Sequence, residues 1–125
     1  MSSTLLVLHI DDDAEMRRVT ALCLAGAPDI AVTSAASGRE ALDHLCEGFR
    51  PHLILLDVTM PEMDGPATLA ELRRLDGLAE TPVVFLTGRA SEHERQRYKA
   101  LGAAGVIAKP FDPARLAHDI RFHAT

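Results

Sequence analysis

The sequence predicts an α/β fold, a doubly wound five-stranded parallel sheet, on the strength of three observations. Short apolar runs of strand length alternate five times with segments whose apolar residues recur at helical spacing. The connections between them are short, as expected for parallel strands joined by right-handed helical crossovers. Polar residues end or follow the apolar runs, and in such a sheet the carboxyl ends of the strands form the ligand crevice. We therefore expect helices on both faces and a polar site along one edge.

Five apolar runs are the predicted strands. They are short and bounded by turn residues, as strands of a buried parallel sheet are. They cover residues 5–10, 30–35, 52–57, 82–87 and 105–108. The third run stops on the carboxylate of Asp57, and Pro61 ends any regular element soon afterwards. This run is therefore expected to deliver Asp57 to the carboxyl edge.

A helical pattern follows each predicted strand. Ser37 and Ser91 each precede a glutamate by three residues, which is the capping-box spacing at a helix start. Pro66 suits the first turn of the third helix, and Asp112 with Pro113 suits the start of the fifth. The residues expected to face the core are Met16, Val19, Cys23 and Leu24; Ala41, Leu42 and Leu45; Leu69, Leu72 and Leu75; and Leu116, Ala117 and Ile120.

Length and composition exclude several classes of protein. The chain has 125 residues, which predicts one domain over residues 1–125. A net charge of −5 argues against nucleic acid or an anionic membrane surface as the main partner. No apolar run approaches the roughly 20 residues of a membrane span, and the N-terminus lacks the features of a signal peptide. We expect a cytoplasmic protein without membrane insertion, in which Cys23 and Cys46 are reduced thiols.

The predicted carboxyl edge gathers polar residues whose chemistry points to phosphoryl transfer. They are Asp11, Asp12, Asp13, Asp57, Thr87 and Lys109. Crowded carboxylates repel one another, and a divalent cation relieves that repulsion; oxygen ligands suit Mg²⁺, and no Cys/His cluster has zinc spacing. A metal, a lysine and a hydroxyl around one aspartate suit a transferring phosphoryl group, for which aspartate is a known nucleophile. The hypothesis is that Asp57 accepts a phosphoryl group with Mg²⁺.

Taken singly, each of these residues has an ordinary structural explanation. Asp13, for example, is well placed to do no more than cap the first helix, and Lys109 to be solvated. Their joint placement at the ends of four predicted strands carries the hypothesis. His9 lies on the first predicted strand, where we expect a core histidine whose hydrogen bonds are satisfied.

The chain resembles the receiver domain of two-component response regulators over essentially its full length. The resemblance is carried by HIDDDAEMRR at the first strand end, LLDVTMPEMDG around the third, FLTGRA at the fourth and GVIAKPF at the fifth. It implies a flavodoxin-like (βα)5 fold with strand order 2-1-3-4-5. We expect a single receiver domain over residues 1–125 without an output domain, and the sequence leaves open whether it stands alone or is the excised receiver of a longer protein. Such a domain is no turnover enzyme, since it assists only its own phosphorylation and dephosphorylation.

The resemblance also implies roles for individual residues. Asp57 resembles the phosphoacceptor, Thr87 the switch hydroxyl, and Lys109 the lysine that pairs with a phosphoryl oxygen. Asp11 and Asp12 resemble the acidic pair that holds Mg²⁺ together with Asp57, with Asp12 touching the metal directly and Asp11 mainly through water. The implied backbone groups are the Thr59 carbonyl toward the metal and the Val58 and Gly88 amides toward the phosphoryl group.

The switch region departs from the pattern of many relatives. They carry Tyr or Phe three residues before the lysine, where this chain has Val106. The aromatic readout of the switch hydroxyl is therefore absent. Arg89 and Thr59 flank the path of an attacking water, and the Lys109–Pro110 bond is expected to be cis, as is typical of the family.

The implied phosphodonor is the phosphohistidine of a sensor histidine kinase or a histidine phosphotransfer protein. The signal then passes to a downstream protein target, with the chain acting as a switch or a phosphorelay intermediate. Two alternatives remain open. A pseudo-receiver would keep the fold and lose the chemistry, and a haloacid-dehalogenase-type phosphatase would need Thr or Val where Glu15 stands, as well as a cap domain.

Overall fold

The computed structural model describes residues 4–124, which form one five-stranded sheet between two layers of helices. Strands and helices alternate from the first element to the last, as the sequence predicts. Their bounds are β1 Leu5–Ile10, α1 Ala14–Leu24, β2 Ile30–Ala35, α2 Gly38–Cys46, β3 Leu53–Asp57, α3 Gly65–Leu72, β4 Val83–Thr87, α4 Glu92–Ala100, β5 Gly105–Ala108 and α5 Pro113–Ala124.

The sheet is parallel throughout and has the strand order β2-β1-β3-β4-β5, which confirms the predicted topology. The register aligns Ile10 with Leu56 and Thr87 with Ala108. Asp57 lies opposite Leu86 of β4. Because neighbouring strands run in the same direction and end at nearly the same level, their carboxyl ends form one edge.

Alternate strand residues face two separate cores, one on each side of the sheet. On one side they pack with α2, α3 and α4, where the rings of Phe85 and Tyr98 lie 5.0 Å apart between centroids. On the other side they pack with α1 and α5, where Leu24 and Ile120 join Leu55. The two cores confirm the doubly wound arrangement, and burial of apolar side chains on both faces is what fixes the sheet.

Side-chain caps begin the helices where the sequence places them. Ser37 Oγ accepts a hydrogen bond from the Glu40 backbone N–H at 3.0 Å. Ser91 Oγ accepts one from the Glu94 N–H at 3.2 Å. Each bond satisfies an N–H that has no partner within its own helix, and this fixes the first turn.

Two details of the helices differ from the prediction. Helix α3 ends at Leu72, so Leu75 lies in the turn beyond it, with its N–H bonded to the Leu72 carbonyl at 3.1 Å. In α1, Val19 is 37% exposed while Thr20 and Leu24 are buried. Leu24 is buried as predicted, but Thr20 takes the inward position expected of Val19, and its polar side chain concealed that position in the sequence.

The lengths of the helices and the state of the two cysteines are two features on which the composition makes predictions. Between residues 4 and 124, none of the helices has the length and apolar character needed to cross a membrane. Cys23 and Cys46 are both free thiols, as expected. Neither cysteine therefore constrains the fold through a disulfide.

Candidate functional site

Four of the predicted site residues lie together at the carboxyl edge of the sheet. Asp11 follows β1, Asp57 ends β3, Thr87 ends β4 and Lys109 follows β5. The Lys109 N–H donates to the Thr87 carbonyl at 2.8 Å, which continues the β4–β5 ladder to the edge. Asp11 is 1% exposed, and Asp57 and Thr87 are each 7% exposed. These polar groups therefore lie at the boundary between the apolar core and the carboxyl edge of the sheet.

Lys109 links the two buried carboxylates. Its Nζ donates to Asp57 Oδ1 at 2.9 Å and lies 3.6 Å from Asp11 Oδ2. Burial lowers the pKa of Lys109, but the hydrogen bond and charge of Asp57 and the charge of Asp11 outweigh burial and raise it above its usual value. Lys109 is therefore a fixed positive charge beside the Asp57 carboxylate.

The pKa of Asp57 reflects crowding at the edge. Burial raises the pKa of Asp57, the hydrogen bond from Lys109 lowers it, and the negative charges of Asp11 and Asp12 raise it again. The net result is a pKa above the usual value of an aspartate. Neighbouring carboxylates repel one another when all are ionised, so the cluster favours a bound cation.

The three consecutive aspartates occupy three different environments. Asp11 is buried, and its carboxylate accepts a hydrogen bond from the Asp13 N–H at 3.0 Å. Asp12 is exposed and lies beside Asp57. Asp13 caps α1 by accepting from the Glu15 N–H at 2.9 Å. Asp13 is therefore the cap of α1, as the sequence allowed. Asp11 and Asp12 instead form the carboxylate cluster with Asp57.

The carboxylates fit the metal that the sequence predicts. Asp11, Asp12 and Asp57 each offer an oxygen within 4.8 Å of the others. Asp11 Oδ2 is buried and has no hydrogen-bond partner among the described residues. Oxygen donors of this kind suit Mg²⁺, which is commonly held by one or two carboxylates with water in its other positions. A buried carboxylate oxygen that accepts no hydrogen bond, beside two further carboxylates, is a reason to place a cation here.

A backbone hydrogen bond joins the two ends of the loop that connects β3 to α3. The Gly65 N–H donates to the Val58 carbonyl at 2.8 Å. A Cβ at Gly65 would lie 2.6 Å from the Asp57 carbonyl oxygen and 2.9 Å from Val58 Cα, so only glycine permits this approach. Thr59, whose carbonyl is the expected metal ligand, lies exposed within the closed loop. The loop is thus held against the end of the strand that carries Asp57.

Two backbone amides were expected to face the phosphoryl group. The Val58 N–H donates to the Leu86 carbonyl at 3.2 Å, so in this structure it extends the β3–β4 ladder. Gly88 is exposed, and a Cβ built there would meet nothing within 4 Å. Open space at Gly88 leaves the approach to Thr87 clear.

Thr87, the predicted switch hydroxyl, is hydrogen-bonded within its own loop. Thr87 Oγ1 accepts a hydrogen bond from the Arg89 N–H at 3.0 Å. Val106 is 8% exposed, and the Val106 carbonyl accepts from Arg95 Nη1 at 2.8 Å. The Lys109–Pro110 bond is cis, as expected. The Arg95 side chain therefore connects α4 to β5 at Val106.

Sequence reasoning missed two features of the site. Arg17 of α1 donates from Nη1 to the Asp11 carbonyl at 2.7 Å and so holds the end of β1. No spacing rule marks Arg17, because the contact depends on how α1 packs. His9 is fully buried, but neither ring nitrogen has a hydrogen-bond partner among residues 4–124, so the expectation of a satisfied core histidine is wrong.

Comparison with known proteins identifies relatives of this arrangement. A family described as the response regulator receiver domain matches residues 7–121. Response regulator Rre1 of Synechocystis is 33% identical over 121 residues, covering 97% of this chain and 52% of that protein. The chain spans about half the length of the curated relatives it matches.

Solved structures agree with the sequence comparison. Chemotaxis protein CheY4 of Vibrio cholerae superposes with a TM-score of 0.88 at 33% identity, covering 97% of this chain and 99% of that one. The receiver domain of sensor histidine kinase PA1611 from Pseudomonas aeruginosa superposes with a TM-score of 0.84 at 25% identity, covering 98% of each chain. That structure has a magnesium ion coordinated in its active-site cleft. Fold and sequence therefore point to the same group of proteins.

Proposed function

Because the chain belongs to the response regulator receiver domain family, we propose that Asp57 accepts a phosphoryl group from a phosphohistidine, with Mg²⁺ at the carboxyl edge. Membership makes the chain a receiver domain of two-component signalling with an acidic cluster at the phosphorylation site. Receiver domains interact with sensor histidine kinases and downstream effectors. The proposal goes further, to the acceptor residue, the metal and the direction of transfer.

The observation that carries the proposal is the pairing at Asp57. A buried aspartate is hydrogen-bonded to Lys109 at 2.9 Å and lies beside Asp11 and Asp12, whose oxygens come within 4.8 Å. A structural ion pair alone would not place two further carboxylates around the same group. A nucleophile with a fixed lysine and a cation site beside it is the arrangement that phosphoryl transfer requires.

The transfer can be followed bond by bond. An Asp57 carboxylate oxygen attacks phosphorus, the bond from phosphorus to the donor histidine nitrogen breaks, and the imidazole leaves with the electron pair. Lys109, which now pairs with Asp57 Oδ1, then pairs with a phosphoryl oxygen. When bound, Mg²⁺ offsets the negative charge of the carboxylates and the phosphoryl oxygens. The proposed ligands are Asp11, Asp12, Asp57 and the Thr59 carbonyl.

Phosphorylation would then change the loop after β4. Thr87 Oγ1, which now accepts from the Arg89 N–H at 3.0 Å, turns to donate to a phosphoryl oxygen, with the Gly88 amide as a further donor. Losing the bond to Arg89 frees residues 88–91 to adopt a second arrangement that a target protein recognises. The chain thus works as a switch or a relay intermediate and catalyses only its own phosphorylation and dephosphorylation.

The proposal extends to domain organisation and location. We propose that residues 1–125 form one receiver unit, supported by the single sheet and its two helical layers in residues 4–124. The proposed phosphodonor is a sensor histidine kinase or a histidine phosphotransfer protein. Such donors present phosphohistidine in the cytoplasm, and we propose that location for this chain as well.

The test is phosphorylation by a small phosphodonor. Incubation with acetyl phosphate and Mg²⁺ should add the mass of one phosphoryl group, located at Asp57 by reduction with borohydride and peptide mass spectrometry. Asp57→Asn should show no added mass, and chelation of Mg²⁺ should prevent labelling of the wild type. Beryllofluoride should bind the wild type under the same conditions.

The matched control is Asp13→Asn, since Asp13 caps α1 and its replacement keeps the cap. This variant should be labelled like the wild type. Labelling of Asp57→Asn to the wild-type extent, or no labelling of the wild type, would refute Asp57 as the acceptor. The second of these results is what a pseudo-receiver predicts.

A further inference from the structure

His9 is a buried polar residue that neither the fold nor the proposed mechanism explains. It lies on β1, two residues before Asp11, and is 0% exposed. Val7, two residues earlier on the same face of the strand, belongs to the apolar core shared with α1 and α5. Neither Nδ1 nor Nε2 of His9 has a hydrogen-bond partner among the described residues. An apolar residue would fill this position without leaving two unpaired nitrogens.

The polar group that faces His9 is the Asp11 carboxylate. His9 Nε2 lies 3.7 Å from Asp11 Oδ2, which is in contact but longer than a hydrogen bond. Asp11 Oδ2 is itself buried and accepts no hydrogen bond from the described residues. Both the neutral ring with its proton on Nε2 and the cation carry an N–H donor on this nitrogen. A shift of less than about 1 Å would bring the pair to hydrogen-bond length.

The surroundings of Asp11 show what His9 can add. One carboxylate oxygen, Oδ1, is held by the Asp13 N–H at 3.0 Å, and the residue's carbonyl is held by Arg17 at 2.7 Å. Oδ2 lies between His9 and Lys109, whose Nζ is 3.6 Å away. A donor on the His9 side opposes rotation of Oδ2 toward Lys109. Lys109 then remains bonded to Asp57, to which it donates at 2.9 Å.

We propose that His9 is a positioning residue for the phosphoryl-transfer site, which holds the Asp11 carboxylate from behind in the orientation that receives Mg²⁺. The inference rests on the proposed function of this edge. Carboxylates that bind metals are generally hydrogen-bonded by a second layer of residues, and loss of such a partner lowers metal affinity by about 10- to 100-fold. His9 supplies that second layer from within the core, where the fold keeps water away.

The experiment compares Mg²⁺ affinity with stability in three variants. His9→Leu removes the donor at similar volume, His9→Gln keeps an amide N–H near the position of Nε2, and Val7→Ala weakens the same core face. Isothermal titration calorimetry gives the Kd for Mg²⁺, and urea unfolding without Mg²⁺ gives the stability. We expect His9→Leu to be at least as stable as the wild type with a Kd raised about tenfold. His9→Gln should recover most of the affinity.

Val7→Ala separates positioning from general damage to the core. It should be less stable than the wild type and should keep the wild-type Kd, because it removes packing four residues before Asp11 without touching the carboxylate. If His9→Leu fails to fold, His9→Phe, another apolar replacement, takes its place. A wild-type Kd in the apolar variant would overturn the inference, and so would an equal rise in Kd for Val7→Ala.

The outcomes also separate this inference from the proposed function. If wild-type Asp57 is phosphorylated and the apolar variant keeps the wild-type Kd, the role of His9 fails and the function stands. If the wild type binds Mg²⁺ but is never phosphorylated, the function fails, and the calorimetric comparison still decides whether His9 positions Asp11. A faster or slower phosphorylation rate alone would not count in favour of His9, since any change at the site alters it.

Discussion

At the scale of single residues, environment decides what identical side chains do. Asp11, Asp12 and Asp13 are adjacent, but one is buried beneath the site, one is exposed beside it and one caps a helix. The cause is the geometry of the strand end, where successive side chains point in opposite directions until the chain turns into α1. The same triplet therefore provides a supported carboxylate, an accessible carboxylate and a structural cap.

Gly65 shows how a residue without a side chain can control the site. Gly65→Ala should destabilise the protein by about 1–3 kcal/mol, because the new Cβ would lie within 3 Å of two backbone atoms next to Asp57. Backbone atoms cannot move aside as a flexible side chain can. Urea unfolding measures the loss, and phosphorylation by acetyl phosphate should slow as the loop is displaced.

The control for this prediction is Gly26→Ala. A Cβ at Gly26 meets nothing within 4 Å, so this variant should be as stable as the wild type or slightly more stable. Equal losses from the two substitutions would show that close packing at Gly65 is not what matters.

At the scale of elements, Arg95 joins the loop after β4 to β5. Its Nε donates to the Ala90 carbonyl at 3.0 Å and its Nη1 to the Val106 carbonyl at 2.8 Å. Both acceptors lie near Thr87, the predicted switch residue, one in the loop after β4 and the other on β5. Because a half-buried arginine bonded to two carbonyls is held in place, it fixes how α4 begins relative to β5.

Arg95→Ala should destabilise the protein by about 1–3 kcal/mol, since charged hydrogen bonds to two partly buried carbonyls are lost. Urea unfolding provides the measurement. Arg74→Ala is the control of the same residue type: Arg74 is 79% exposed, and its contact with Glu71 at 3.4 Å is worth about 0–1 kcal/mol. A loss from Arg95→Ala no larger than that from Arg74→Ala would contradict the role of Arg95 as a link.

At the scale of the whole molecule, one ion pair ties the last helix to the loop before β2. Arg121 Nε and Nη2 donate to the two carboxylate oxygens of Asp29, each at 2.8 Å. The hydrogen bonds from Arg121 lower the pKa of Asp29 below its usual value, although burial slightly opposes the change. The pair connects residues 92 apart in sequence on the face covered by α1 and α5.

This pair should make stability depend on pH. A folded-state pKa below the unfolded value of about 3.9 stabilises the fold above that pH, and the contribution is lost as pH falls through the folded-state pKa. Wild type should therefore exceed Asp29→Asn in stability at pH 7, and the difference should shrink below about pH 4. Urea unfolding across this range measures it. Asp43→Asn, at an exposed position on α2, should show no comparable change; a constant difference for Asp29→Asn would contradict the prediction.

Much of the molecule was predictable from sequence because its determinants are local. Strand β1 has the predicted bounds because an apolar run stops at charged residues, and Ser37 and Ser91 cap helices because the chain supplies a hydroxyl three residues before the N–H it satisfies. Parallel strands then place Asp57, Thr87 and Lys109 at one edge by topology alone. Thr20 was missed because a polar residue on an inward stripe breaks the apolar pattern.

The sequence by itself determined the order of the elements, the doubly wound parallel sheet and the group of residues at its carboxyl edge. Only the tertiary structure decided the pairings: Lys109 with Asp57, Arg17 with the Asp11 carbonyl, Arg95 with the Val106 carbonyl, and His9 behind Asp11 without a hydrogen bond. The physical reason is range. Strand and helix patterns arise from neighbours within a few residues, whereas these contacts join separate elements and depend on differences of less than 1 Å in how the helices pack on the sheet.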